Sequence, residues 1–388
     1  MVPITYNLRN LTERKGTTLM TALGIALTVA VLVIALALTA GLSAVFSGSG
    51  DPRQLIVLRK GTDAELTSSV SNEATNIIRQ MPRIAKNAEG TPLVSPELLT
   101  VVNLPSVDSP EGMNVTVRGV LPVGLTMRTL KMEEGKMFEP GRRQLIVGDA
   151  IARRYPSAKL GSSLKFGKST WEVVGVFSAG ESATNSEIWT DLDQLRGDYD
   201  RNGQCSSILV RLNDAGDLKA TAQAMADDQQ LGVQAIAEKQ YYANLTQSPT
   251  SIFLQSLGYG VAVIMAIGSA FAATNTMYAA VARRSKEVGT LRALGFSRGS
   301  ILLSFMFESV CLSLLGGIIG VFLAFPINGL TTGVGNFSTF SDIAFKFKVS
   351  LVAVIFGLIF AAVIGAVGGF LPAWAASRKD IVQSMREG

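Results

Sequence analysis

Apolar residues along the chain gather in four long runs. No charge falls within 16–50, 251–282 or 349–377, and 301–330 holds only Glu308. Each run exceeds the ~20 residues an α-helix needs to cross a hydrocarbon core, so the pattern predicts spans at 18–46, 251–282, 301–330 and 349–376. The stretch 47–250 between the first two reads differently. Leu66, Val70, Ala74, Ile77, Ile78 and Met81 recur at helical spacing, as do Leu218, Ala222 and Met225. Runs starting at Asn114, Gln144 and Ser206 read as strands. Leu164 and Phe166 face Trp171, Val173 and Val176 across Gly167-Lys168-Ser169 as a β-hairpin. The fold class predicted is an α-helical membrane protein with four transmembrane helices, one before and three after an inserted α+β extracytoplasmic domain.

The segment 278–300 is patterned beyond the needs of a connection. Val281, Val288, Leu291 and Leu294 fall on one helical face, and five cations (Arg283, Arg284, Lys286, Arg292, Arg298) accompany one anion, Glu287. This predicts a docking helix at 283–300. Glu287 can pair with Arg283 one turn earlier, and Gly295 can end the helix.

Charge also sets the orientation. The segments 1–17, 283–300 and 377–388 each carry a cationic excess, and four spans put all three on one side, the cytoplasm by the positive-inside rule. The inserted domain and the loop 331–348 then lie outside, with Lys346 and Lys348 as a minor contradiction. The first segment reads as an amphipathic helix on the membrane surface. These readings place the chain as a multi-pass membrane protein with both termini cytoplasmic.

Composition narrows the chemistry. The 388 residues carry a net charge of +5, but the cations flank apolar runs instead of studding an aromatic strand or recognition helix, so lipid and topology account for them and nucleic acid does not. Histidine is absent, which removes the commonest general base and metal ligand. Cys205 and Cys311 fall in unlike environments and belong to no ligand pattern. Asp198-x-Asp200-x-Asn202-Gly203 resembles half of a calcium loop, but Leu209 stands where the bidentate glutamate belongs, so it reads as a polar turn. No G-x-x-x-x-G-K-[ST] occurs in these residues. No catalytic, cofactor or metal site is predicted.

Two stripes of small residues mark the spans: Gly316, Gly320 and Ala324, and Gly357, Ala361, Gly365 and Gly369. Such stripes let helices approach closely in lipid, within one subunit or across a dimer or gate interface. Glu308, a costly intramembrane charge, is expected to snorkel or to pair with a basic residue of 283–300.

The chain resembles the MacB/FtsX-type permeases of ABC transporters. The likeness is tightest at Glu287-Val288-Gly289, Leu291-Arg292-Ala293-Leu294-Gly295 and Ser297-Arg298, and at the closing L-P-A-W-A-A-S-R-K-D from Leu371 with Arg386. It is looser from Gly119 through the run at Trp171 to the run at Ser206, and Ile381 departs from the family's usual proline. The resemblance implies a MacB-like domain at 47–250 and an FtsX-like permease domain at 251–388, in a bacterial inner membrane. It further implies a dimer with a second copy or a paralogue, whose coupling helix docks on a separate ABC ATPase dimer. ATP and Mg2+ would be held by that ATPase. A periplasmic adaptor or outer-membrane protein would be a further partner. The work implied is export or extraction of a hydrophobic cargo (lipid, lipoprotein, drug or peptide) by mechanotransmission. The alternative is control of an extracytoplasmic enzyme without cargo.

Overall fold

A computed structural model describes residues 15–107, 109–247, 249–336 and 341–378. The predicted surface helix within 1–17 lies almost wholly outside these residues, as does the tail from 379 with Arg386. In chain order, helix α1 (Lys15–Ser47) is followed by β1 (Gln54–Arg59), β2 (Val70–Ser71), α2 (Asn72–Arg79), β3 (Val94–Leu104) and β4 (Met113–Val120). Next come α3 (Pro122–Thr126), β5 (Lys131–Gly135), β6 (Gln144–Gly148), α4 (Asp149–Arg154), β7 (Ser163–Phe166) and β8 (Ser169–Ser178). Then follow β9 (Glu187–Asp191), α5 (Leu192–Asp198), β10 (Gln204–Cys205), β11 (Ser207–Arg211), α6 (Leu218–Asp227), β12 (Val233–Ala237) and α7 (Glu238–Thr246). The last elements are α8 (Pro249–Arg283), α9 (Ser285–Ala293), α10 (Arg298–Ala324), β13 (Thr331–Asn336), β14 (Ser341–Lys346) and α11 (Leu351–Arg378). Among the described residues, four helices are long and apolar enough to cross a membrane: Leu19–Ser47, Ile252–Arg283, Arg298–Ile327 and Leu351–Arg378.

The chain forms two compact units. The span unit holds the described residues up to Ala40, Leu254–Leu330 and the chain from Phe347; the inserted domain is Gly41–Phe253 with Thr331–Lys346.

In the inserted domain a mixed sheet runs β12-β1-β11-β3-β4-β9-β6-β8-β5, with β7 added to β8. Pairings are antiparallel except β4 with β9 and β6 with β8. Strand β3 is shared between two cores. Its first half pairs with β11 and its second half, from Leu98, with β4. One core packs Leu55, Ile78, Ile208 and Met225 beneath α2 and α6. The other packs Val117, Tyr155, Trp171 and Leu195. The predicted hairpin forms, with Phe166 opposite Ser169 and Phe166 stacked on Trp171 at 5.3 Å between ring centroids.

The helix expected over Leu66–Met81 is shorter than its spacing implies. It starts at Asn72, because the Ser71 hydroxyl accepts from the Ala74 amide and caps it there; Leu66 lies in a 3-10 turn and Val70 in β2. The loop expected at 331–348 is largely a β-hairpin, β13 with β14.

In the span unit the small-residue stripes meet helices of the same chain. A Cβ on Gly316 would reach the Ala22 carbonyl at 2.7 Å, and one on Gly320 the Ala26 carbonyl at 2.5 Å. One on Gly357 would meet Val33 at 2.8 Å, and one on Gly365 would strike Ser313. Ala324 and Ala361 are fully buried in the cluster of Ile25, Val29 and Val33. Both stripes therefore pack inside one subunit. Hydroxyls add interhelical hydrogen bonds where backbones are close: Ser309 donates to the Gly365 carbonyl at 2.7 Å and Thr274 to that of Gly368 at 2.9 Å.

Candidate coupling site

The corner between α8 and α10 begins at Arg284, which leaves helical geometry (φ −105°, ψ 16°) between α8 and α9. Its side chain turns inward. Arg284 Nη1 donates to Glu308 at 2.7 Å, and Arg284 Nε lies 3.7 Å from Glu287. The guanidinium sits 5.9 Å from the Phe305 ring centroid. Glu308 is ten residues into α10, about 15 Å along the axis. Its charge is neutralised by the corner itself, as expected. Arg284, the neighbour of the predicted Arg283, is one partner of Glu287, since the break in the helix turns its side chain inward.

Helix α9 ends in a Schellman motif. Phe296 N–H donates to the Leu291 carbonyl and Gly295 N–H to that of Arg292, both at 3.1 Å, with Gly295 at φ 92°. Two residues on, the Ser297 hydroxyl accepts from Ser300 N–H and caps α10. Gly295 thus ends the helix as its sequence position predicts.

The predicted docking residues divide into two sets. Val288 and Gly289 are buried. Val288 joins Met277, Val281, Ile301, Phe305, Ala373 and Ala376 in one cluster. This cluster brings together the two stretches that carry the family resemblance, the one around Glu287 and the one from Leu371. Arg283, Glu287, Leu294, Gly295 and Arg298 face out, with Leu294 72% exposed. Leu291 and Arg292 are half-buried, and Arg292 Nε is buried without a hydrogen-bond acceptor. Leu294 is thus exposed on a segment that also carries the exposed cations Arg283, Lys286 and Arg298.

The inserted domain holds a second charge cluster that the sequence did not reveal. Arg118, 2% exposed on β4, donates Nη1 to Glu65 (2.9 Å) and Glu97 (2.7 Å), Nη2 to Glu65 and Glu187, and Nε to Glu187 (2.7 Å). Arg128 also binds Glu97 and lies 5.2 Å from the Trp189 ring centroid. Ser207 donates to Glu65 and Trp189 Nε1 to Glu187. Burial pushes the Glu65 carboxyl up, but Arg118 outweighs it and leaves Glu65 below its ordinary pKa. Glu238 is raised by burial, which Arg128 only partly offsets. Burial also pushes the Cys205 thiol up to about 11, so it is no reactive thiolate at neutral pH.

Comparison with known proteins matches the model of a MacB-like periplasmic core domain to residues 18–228 and that of an FtsX-like permease C-terminal region to 259–381. The chain is similar to the uncharacterized ABC transporter permease YknZ of Bacillus subtilis (strain 168), 23% identical over 400 residues, covering 98% of this chain and 97% of the relative. It is similar to the macrolide export ATP-binding/permease protein MacB of Shewanella sp. (strain ANA-3), 24% identical over 370 residues and 85% of this chain. The chain spans about half of that relative, 55%. Among solved structures, the extracellular domain of the noncanonic ABC-type transporter YknZ from Gram-positive bacteria aligns with a TM-score of 0.36 at 17% identity, over 47% of this chain and 99% of that one. The periplasmic region of MacB from Actinobacillus actinomycetemcomitans aligns with a TM-score of 0.38 at 12% identity, over 52% of this chain and 95% of that one. The chain belongs to the MacB/FtsX-type permeases of ABC transporters.

Proposed function

We propose that this permease docks a separate ABC ATPase dimer through α9 and the turn after it, on the cytoplasmic side, and relays the ATPase's closure to the inserted domain outside. The observation that carries the reading is the preformed helix–turn with Leu294 exposed on a segment that also exposes Arg283, Lys286 and Arg298. Leu294 fills an apolar pocket of the partner, and the cations steer toward acidic groups at its rim. The Arg292 Nε donor takes one of them. The Arg284–Glu308 pair and the Val288 cluster fix the corner to α10 and α11, so a push on α9 moves the spans and not a loose loop. The work done outside is export or extraction of a hydrophobic cargo, by a dimer of this chain or with a paralogue, in a bacterial inner membrane. ATP and Mg2+ belong to the ATPase.

Co-purification tests the docking. The ATPase expressed with this chain should be retained by the wild type and lost by Leu294→Asp with the chain still folded; retention by that variant overturns the docking site. The molecules in the purified complex test the cargo: lipid or peptide supports export, and a bound hydrolase favours control of an outside enzyme.

A further inference from the structure

The hairpin of β13 and β14 is joined in sequence to span helices α10 and α11, yet its contacts assign it to the inserted domain. Its strand β14 is buried from Ser341 to Phe345. Asp342, 2% exposed, accepts from Arg154 Nη1 and from the Tyr155 hydroxyl at 3.1 Å. Ala344 N–H donates to the Ser186 hydroxyl at 2.8 Å. On another side Gly41, within the last turns of α1, lies so close to the Lys346 carbonyl that a Cβ there would collide with it. The connections are short: residues 328–330 join the 3-10 turn ending at Ile327 to β13, and 347–350 join β14 to α11. Fully extended, they reach about 10 Å and about 14 Å. Movement of α10 or α11 beyond what these short connections can take up must move the hairpin.

We propose that the Arg154–Asp342 pair is a positioning clasp that makes the hairpin a second load path, from α10 and α11 into the inserted domain, alongside the direct chain connections of α1 and α8. The inference rests on the mechanotransmission reading and adds the residues that carry the load. A buried ion pair suits this use. Removing one member strands a charge out of water, so the contact is held tightly or not at all. The hydroxyl of Tyr155 and the main-chain bond to Ser186 fix its orientation.

The test uses the full chain with its ATPase in lipid nanodiscs. A fluorophore is placed at Val107→Cys, 67% exposed, whose N–H donates to the Arg154 carbonyl; Cys205→Ala and Cys311→Ala remove the background. The readout is the change in fluorescence when ATP and Mg2+ are added. In the otherwise wild-type background a change is expected. Asp342→Asn should reduce its amplitude about threefold or more while basal ATP hydrolysis persists. The swap Arg154→Asp with Asp342→Arg should restore at least half of the signal. If the wild-type background gives no change, the relay reading fails and the clasp with it. If Asp342→Asn responds like wild type, only the clasp fails. Should Asp342→Asn unfold, as judged by its thermal melt, Ser186→Cys with Ala344→Cys in an Arg154→Lys background replaces it. Oxidation should then raise the signal and reduction lower it; no dependence on the cross-link overturns the clasp.

Discussion

Arg118 and Arg284 are both buried arginines held by carboxylates, and they differ in how much of the guanidinium is used up. Around Arg118 three carboxylates take up donors on all three nitrogens, and those carboxylates bind Arg128, Ser207 and Trp189 in turn. Around Arg284, Glu308 is the close partner, and Glu287, with a half-exposed side chain, stands at 3.7 Å. The first network is closed and holds together strands from distant parts of the sequence. The second includes a half-exposed carboxylate, Glu287, on the helix proposed to dock. A closed network serves stability; an open one leaves charge to be shared on docking.

The closed network is most directly disrupted at Arg118. Arg118→Leu strands Glu65 and Glu187, leaves Glu97 to Arg128 alone, and should cost about 3–5 kcal/mol or unfold the domain, seen as a collapsed thermal melt of the purified chain. Glu308→Leu leaves Arg284 unneutralised near a helix corner. It should cost less, about 2–3 kcal/mol, and weaken ATPase retention along with stability. Packing supplies the control: Gly320→Leu, which drives a side chain into the Ala26 carbonyl, should lose about 1–3 kcal/mol without touching either charge site. Leu294→Asp should leave the melt within ~0.5 kcal/mol of wild type but weaken ATPase binding about tenfold or more, measured by titration in detergent.

The smallest effect expected is in pH dependence. Glu65 sits below its ordinary pKa, so its contribution is present above the unfolded-state value and is lost as pH falls through the folded one. Glu238 is raised, so its contribution is present below the unfolded-state value and lost as pH rises through the folded one. Glu238→Gln should therefore raise the melting temperature at pH 7–8 and leave acid unfolding nearly unchanged. A lower melting temperature at neutral pH would mean that the hydrogen bond from Asp51 N–H to Glu238 outweighs the burial cost.

The spans were legible in the sequence because a charge-free run longer than ~20 residues has few other uses. The docking corner was legible because its turn chemistry is local: Gly295 and Ser297 act within a few residues of themselves. The Arg118 cluster was not. Its members are scattered from Glu65 to Ser207, and an arginine within N-V-T-V-R-G-V reads as an exposed strand position until β9 and β3 are known to flank it. Nor was the hairpin legible, since Thr331–Asn336 has two glycines and little alternation, and β14 is held by Arg154, Tyr155 and Ser186 from far along the chain. The glycine stripes were visible as stripes; only packing could assign them to the chain's own helices.

The turn at Gly295 has one further consequence. Because Phe296 and Gly295 already satisfy the Leu291 and Arg292 carbonyls, this stretch has met its ordering entropy during folding. In the proposed docking, association would be close to rigid-body, and affinity could be adjusted through side chains such as Leu294 without altering the backbone.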